Sequence, residues 1–457
     1  MAETLIVPFR GEGSGTAPLT WGQQTMWRAF ELGGRAIWLS GMAEVPAGVT
    51  VADLADRLAY QVSRHQSLRT RLVVADDAPV QQVLSASGEL ELEFADAGDD
   101  DDPLQVAKAI KTDWEEGGGH YDFATTWPVR VTVVRRRGVP VYQVHALSHI
   151  TVDSFGVLAL RRDLAARAAA GDPPAPVTAM QPLEEARWQA SPAGQRHLEL
   201  TLRYWRRLLH RIPAHKFPDP AGLPQAHNCR FHFDSRAAEL AIQAIAARTQ
   251  FGTQSVLLAA LAVGLARATG VNPMVLRIYV SNRFRPRLAD AVSTITQTCP
   301  FVVDVAGATF DEAVRRTYYS AFSAYKHAYF EPAKIRELLR AVEAERGEQV
   351  DVDFVCNDIR RPSEPGVTGP PVRREEIEAA LALTTLTCEE RAGAEDPCTF
   401  TFSDPEEMTY QGAPPRLHAL VAVDDHYVPR AQVLSCLRDL EAVLVSAAFD
   451  PHVSTGI

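Results

Sequence analysis

Residues 129–171 constrain the fold more than any other stretch of this 457-residue chain. "VRVTVVRR" and "VPVYQVHAL" alternate apolar and polar positions, so each reads as a strand, and Arg137-Gly138 joins them. The second strand runs without a break into "SHITVD", and then "SFGVLALRRDLAARAAAG" takes up helical spacing and ends near Gly171. A chain that holds strand, strand, turn and helix within some forty residues cannot be all-α or all-β. The remaining segments mix strands and helices without a strict βαβ repeat, which predicts an α+β fold. At 457 residues the chain exceeds what one hydrophobic core usually serves, so two lobes are expected.

Further segments carry local signals. "TVADLADRLAYQVSRHQSLRTRL" (50–72) reads as a helix with Thr50 as its cap. "VQQVLS" and "ELELEF" read as strands, and "DAGDDDD" (96–102) as a solvated acidic loop. "DPPAPVTAMQP" reads as a Pro-rich linker and "PAHKFPDPAGLP" as irregular. In the second half, 236–248, "TQSVLLAALAVGLARATG" and "TFDEAVRRTYYSAFSAYKHAYF" read as helices, the last capped by Thr309.

Composition excludes several classes. A formal charge of −11 argues against a general nucleic-acid binder. Cysteines at 229, 299, 356, 388, 398 and 436 form no CxxC and no paired zinc spacing. The N-terminus has neither a basic nor an apolar leader region, and Arg267 interrupts the most apolar run, so a soluble cytoplasmic protein is expected. GxSxG, P-loop and GxGxxG motifs are absent.

The junction "HALSHITVDSFG" (145–156) spaces His145, His149 and Asp153 four residues apart. Such spacing shares a face only on a helix, and His145 lies in an alternating strand, which argues against a metal site. His149 stands where strand gives way to helix, a place from which side chains reach clefts, and imidazole is the usual base near neutral pH. Asp153 can cap the helix or pair with an arginine. By spacing alone, a histidine in this place is more often a satisfied turn residue than a base.

"SHITVDSFG" resembles the HHxxxDG motif of condensation domains from nonribosomal peptide synthetases. Other segments resemble that family in the same order. "LTWGQQTMW" (19–27) is similar to its opening motif, with Gln23 in the Gln place, and "RHQSLRTRL" (64–72), with Arg69, is similar to RHExLRTxF. "YDFATTWPVRVTVV" supplies Asp122 and Arg130, "YWRRLL" (204–209) matches YWxxxL, "SNRF" supplies Asn282 and Arg283, and "STITQTCPFVVDV" resembles GxFVNTLPLRVDL. The likeness runs over about 19–452.

The resemblance implies two chloramphenicol acetyltransferase-like lobes in a V-shaped pseudo-dimer with a central tunnel. The N-terminal lobe would be 1–178, a linker and helix 179–215, and the C-terminal lobe 216–457. It implies an acyltransferase that joins a carrier-tethered acyl thioester to an amine or hydroxyl in natural-product assembly. His149 would be catalytic, with Asp153, Arg283, Ser148 and Ser154 as loop support. Gln23, Arg69, Asn282 and Gln297 would belong to the tunnel or core. No metal and no resident cofactor is implied, because the phosphopantetheine arm arrives on the carrier protein. With no adenylation domain or carrier attachment site, the chain resembles a freestanding enzyme whose acyl-loaded carrier and carrier-bound or soluble acceptor come in trans. Three residues depart from the pattern: Ser148 for the first His, Ser154 for Gly, and Gln297 for Asn. If the position of Ser154 needs positive φ, a serine there is strained or the loop differs. These departures keep two other readings open, a degenerate recruitment module and a CoA-thioester acyltransferase.

Overall fold

The computed structural model describes residues 3–75, 78–116, 121–170, 175–213, 228–360, 371–391, 398–404, 415–425 and 427–457. These form two compact units. The first comprises 1–199, 281–297 and 329–332, and the second the remainder.

The first unit is built on β1 (Thr4–Arg10), β2 (Gly15–Pro18), β3 (Trp38–Glu44), β4 (Thr70–Ala75), β5 (Ala78–Leu84), β6 (Ser87–Ala97), β7 (Val129–Arg136) and β8 (Val139–Ser148). Its helices are α1 (Trp21–Gly33), α2 (Val51–Arg64), α3 (Pro103–Glu115), α4 (Ser154–Ala170) and α5 (Pro182–Ala190), while α6 (Pro192–Leu209) continues into the second unit. The main sheet has the order β1-β6-β7-β8-β3, and β2-β5-β4 form a smaller one. Only β6 and β7 pair in parallel within the main sheet. Arg137 (φ 52°) and Gly138 (φ 77°) are both left-handed, which suits a two-residue hairpin between right-twisted strands. Strand alternation divides the core. Leu147, Val131 and Val133 pack with Leu54, Leu58 and Leu160 of α2 and α4, whereas Val144, Ala146 and Val134 pack with Ala107 and Trp114 of α3.

The second unit contains β9 (Asn228–Ser235), β10 (Met274–Val280), β11 (Gln297–Val303), β12 (Phe354–Asp358), β13 (Thr385–Arg391), β14 (Cys398–Ser403) and β15 (Leu417–Asp424). Their order is β11-β10-β12-β14-β15-β9-β13. Its helices are α7 (Arg236–Thr249), α8 (Thr253–Thr269), α9 (Phe310–Lys326), α10 (Pro332–Arg346), α11 (Arg374–Leu381) and α12 (Arg430–Ala447). α8 is apolar on all sides because every residue from Val256 to Ala266 is buried. A Cβ on Gly264 would lie 2.6 Å from the Cys436 carbonyl, so glycine permits the close approach of α12. Among the described residues no single helix is long and apolar enough to cross a membrane.

Two expectations are corrected. The helix read over 50–72 stops at Arg64; Gln66–Arg69 form a 3-10 turn and Thr70 starts β4. Leu68 and Leu72 are buried too, so the apolar spacing continues across the break. The acidic run is only partly a loop. β6 extends through Ala97, and Asp102 caps α3 by accepting from the Leu104 N–H at 3.0 Å. The compact units themselves are not continuous in sequence. Residues 281–297 and 329–332 return to the first unit, drawn in by hydrogen bonds described below. The boundary at 215–216 lies outside the described residues, as does most of "PAHKFPDPAGLP".

Candidate functional site

The site is built at the exit of β8. The Ser148 N–H donates to the Pro128 carbonyl and the His149 N–H to the Ile37 carbonyl, both at 2.9 Å, so the backbone stays strand-like up to the histidine. The chain then turns. Thr151 donates to the Ser148 carbonyl through its N–H and its hydroxyl, each at 2.9 Å, and α4 begins at Ser154.

Asp153 holds this turn. Its Oδ1 accepts the Gly156 N–H at 2.7 Å, an N-cap bond, and lies 2.7 Å from Arg283 Nη2. Its Oδ2 accepts from Arg283 Nη1 (3.0 Å), the Ile295 N–H (3.1 Å), the Thr296 N–H (2.9 Å) and the Thr296 hydroxyl (2.7 Å). The two sequence alternatives for Asp153, cap and arginine partner, are therefore met at once. Burial alone would raise its pKa, but the Arg283 charge and these donors outweigh it, so the carboxyl titrates below its ordinary value. Arg283 is fixed in turn by the carbonyls of Ala291 (3.0 Å) and Ser293 (3.2 Å).

Residues 291–296 thus form a strap over the turn. The Ser293 carbonyl also accepts the Asp153 N–H at 3.4 Å, and the Thr294 hydroxyl donates to the His149 carbonyl at 2.6 Å. Gly156 lies beneath the strap. A Cβ there would stand 2.6 Å from Val152 Cγ2, 3.1 Å from the Ser293 carbonyl and 3.2 Å from Arg283 Nη2. The glycine that this loop requires is therefore Gly156. Ser154 is exposed, opens α4 and is not among the residues with positive φ, so serine there carries no left-handed strain.

His149 borders a narrow recess of about 10 Å³, whose other walls include Met26, Phe30, Ile37, Phe123 and Ser148. Burial lowers its pKa from the ordinary value, and Asp153 and the backbone at His149 and Val152 pull the other way with less effect. The imidazole is thus neutral at pH 7. Nδ1 is sealed from solvent and makes no hydrogen bond of ordinary geometry. Ser148 is buried with its side chain against the Tyr121 hydroxyl. His145 is separate: it packs over Gly41, and burial, with Arg161 nearby, pushes its pKa down to about 4. Among the described residues no group of three His, Cys, Asp or Glu side chains could hold a metal ion.

None of the remaining sequence candidates lines this recess. Gln23 forms a capping box with Thr20 at the start of α1 and reaches Gln82 at 3.3 Å. Arg69, buried, donates to the carbonyls of Glu12, Gly13 and Ser85. Asn282 takes a left-handed φ of 57° and donates to the Ile295 carbonyl at 2.9 Å. The Gln297 amide bonds both backbone groups of Phe330, at 2.9 and 3.1 Å. Asp122 closes its own turn by accepting from the Ala124 N–H at 2.9 Å, and Arg130 stacks over Trp114.

Sequence reasoning missed Glu185. It is fully buried on α5, accepts from the Tyr329 hydroxyl (2.6 Å) and Gln189 Nε2 (3.1 Å) on Oε1, and from the Ser293 hydroxyl (3.2 Å) on Oε2. In sequence it is one of two adjacent first-turn acids, and Glu184, the other, pairs with the exposed Arg287.

Comparison with known proteins gives a consistent assignment. The chain is 28% identical over 340 residues to the phosphinothricin tripeptide synthetase PhsC of Streptomyces viridochromogenes, covering 69% of this chain and 30% of that one. It spans about a third or less of the length of the curated relatives it matches. Its fold is that of a structure described as the molecular basis for condensation domain-mediated chain release from the enacyloxin polyketide synthase (TM-score 0.71, 21% identity, 96% of this chain and 84% of that one). It is also that of the X-domain from teicoplanin biosynthesis, solved in complex with OxyB (TM-score 0.67, 20% identity, 98% and 96%). These likenesses show a shared α+β fold. The family model described as "Condensation domain" matches residues 14–379, and the chain therefore belongs to the condensation domain family.

Proposed function

We propose that this protein is an acyltransferase that joins a carrier-tethered acyl thioester to an amine or hydroxyl acceptor in nonribosomal peptide biosynthesis, with His149 as the catalytic residue. The observation that carries the reading is a neutral imidazole at the end of β8, bordering a recess, on a loop fixed by a buried carboxylate–guanidinium pair. Family membership supports the reaction class.

In this reading the acceptor nitrogen or oxygen attacks the thioester carbonyl. A C–N or C–O bond forms, the C–S bond breaks, and the acceptor's proton ends on the departing phosphopantetheine thiol. Nε2 of His149 orients the nucleophile and takes that proton. The N–H of Ser154, in the first turn of α4, has no acceptor within the helix and offers a donor to the developing oxyanion. Asp153 and Arg283 support the loop without meeting substrate.

The purified protein, mixed with acyl-loaded carrier protein and a panel of amines and alcohols, should yield amide or ester by mass spectrometry. His149→Ala should abolish it. Product that persists unchanged in His149→Ala removes His149 from the chemistry. A second reading, recruitment of a partner enzyme, is favoured by Ser148 standing in place of the family's first histidine. Absence of product across the panel, together with stoichiometric binding of a biosynthetic enzyme, would favour it.

A further inference from the structure

The most buried ionisable group beside the site has no part in the mechanism above. Glu185 is inaccessible to solvent, and three donors from three chain segments converge on it: Gln189 from α5 itself, Tyr329 from 329–332, and Ser293 from the strap. Gln189 Nε2 can only donate, and it also donates to the Tyr329 hydroxyl at 2.8 Å, while both hydroxyls point at the carboxylate, an arrangement that suits its ionised form. Gln189 is held by the Trp21 N–H at 3.1 Å, and the Tyr329 ring lies against Trp21 at 5.0 Å, so the side of the network away from the strap is rigid.

The strap side is not anchored in the same way. Ser293 bonds Glu185 through its hydroxyl, while its carbonyl meets Arg283 and the Asp153 N–H. Thr294, next along, bonds the His149 carbonyl, and Ile295 and Thr296 bond Asp153. A displacement of Ser293 is therefore delivered to both ends of the His149–Asp153 turn. We propose that Glu185 is a positioning residue for His149, its carboxylate anchoring the strap of residues 291–296 that sets where the imidazole stands.

The charged and titratable groups around Glu185 are Arg283, Asp153 and Tyr329, and Tyr329 is flanked by the Arg285 guanidinium 5.3 Å from its ring and by His197 at its carbonyl. Complete burial pushes the Glu185 carboxyl up to about 7, against the pull of Tyr329, Ser293 and Arg283. As pH falls through that value, the proton it gains turns one acceptor oxygen into a donor, and the bond from Ser293 is lost or reversed. This inference rests on the acyl-transfer reading, and its test separates the two.

Imidazole NMR of the full chain, with His149 assigned by His149→Ala, compares wild type, Glu185→Gln, Ser293→Ala and the double variant, each checked for folding by thermal melting. Both single variants should move the His149 resonances and titration midpoint in the same direction, and the double variant should move them no further. In transfer assays kcat should fall about tenfold with KM unchanged. The acid limb near pH 7 in wild type should move below 6.5 in Glu185→Gln. If Glu185→Gln fails to fold, Ser293→Ala decides, because it leaves the Tyr329 and Gln189 bonds in place. His149 signals identical to wild type in a folded variant, or effects that simply add in the double variant, overturn the proposal. His149 signals that shift in the variants, alongside a wild-type protein that transfers no acyl group, would leave the positioning role standing and sink the acyl-transfer reading.

Discussion

Arg283 grips Asp153 at two points, Nη2 to Oδ1 at 2.7 Å and Nη1 to Oδ2 at 3.0 Å, in a place where the two side chains are 9% and 2% exposed. A buried pair of this kind matters most when one partner is taken away, because the other then stays charged and unmatched. Asp153→Ala should cost about 3–5 kcal/mol of stability in urea unfolding. Loss below about 1 kcal/mol would mean that the pair does not order the loop.

The same pair predicts an acid dependence. The Asp153 pKa is depressed in the fold, so its contribution is complete above the unfolded value of about 3.9 and disappears as pH falls through the lower folded value. Urea midpoints measured from pH 6 downwards should fall more steeply below about 4 in wild type than in Asp153→Asn. Parallel curves would contradict the assignment.

His149 carries the opposite charge logic with the same pH sign. Its folded pKa is lowered, so the fold favours the neutral ring, and the stability it adds is present above about 6.5 and lost as pH drops below that value. NMR titration should place its midpoint below 6.5. A midpoint above 7 would mean that the ring pairs with an acid in solution.

Gly156→Ala sets two effects against each other. Alanine in a helix gains up to about 1 kcal/mol over glycine. The added carbon, however, would sit 2.6 Å from Val152 Cγ2 and 3.1 Å from the Ser293 carbonyl. Overpacking of this kind costs about 1–3 kcal/mol, so the net change should be destabilising, and transfer should weaken with it. A more stable, fully active variant would show that the strap gives way easily.

Gln297→Asn would install the residue that stands in the family pattern. The side chain is one methylene shorter, and the two bonds to the Phe330 backbone depend on its reach. The expected loss is about 1–3 kcal/mol for buried polar groups left unpaired. Equal thermal stability of the two proteins would show that the shorter amide is accommodated.

The legible parts of the molecule are those in which pattern and geometry coincide. β7 and β8 read directly from alternation because one face of each buries aliphatic residues against α2 and α4. The helix over 50–72 ran too long because Leu68 and Leu72 are as buried in a 3-10 turn and a strand as they would be in a helix, and periodicity sees only burial. At the site, His149, Asp153 and Arg283 could be found through their motif. Gly156 could not, since the motif directed the search two residues earlier, to Ser154. Glu185 gave no sign, because a glutamate in a first helical turn is ordinary and only the folded protein distinguishes it from Glu184.

The strap also sets a timetable for synthesis. Arg283 follows Asp153 by 130 residues, so at translation rates of about 5–20 residues per second the aspartate is on the order of ten seconds older than its partner. For that interval the nascent first unit carries a turn whose carboxylate has none of the strap's donors. Protection of that turn on stalled ribosomes should appear only when the chain has grown past Thr296 and cleared the exit tunnel.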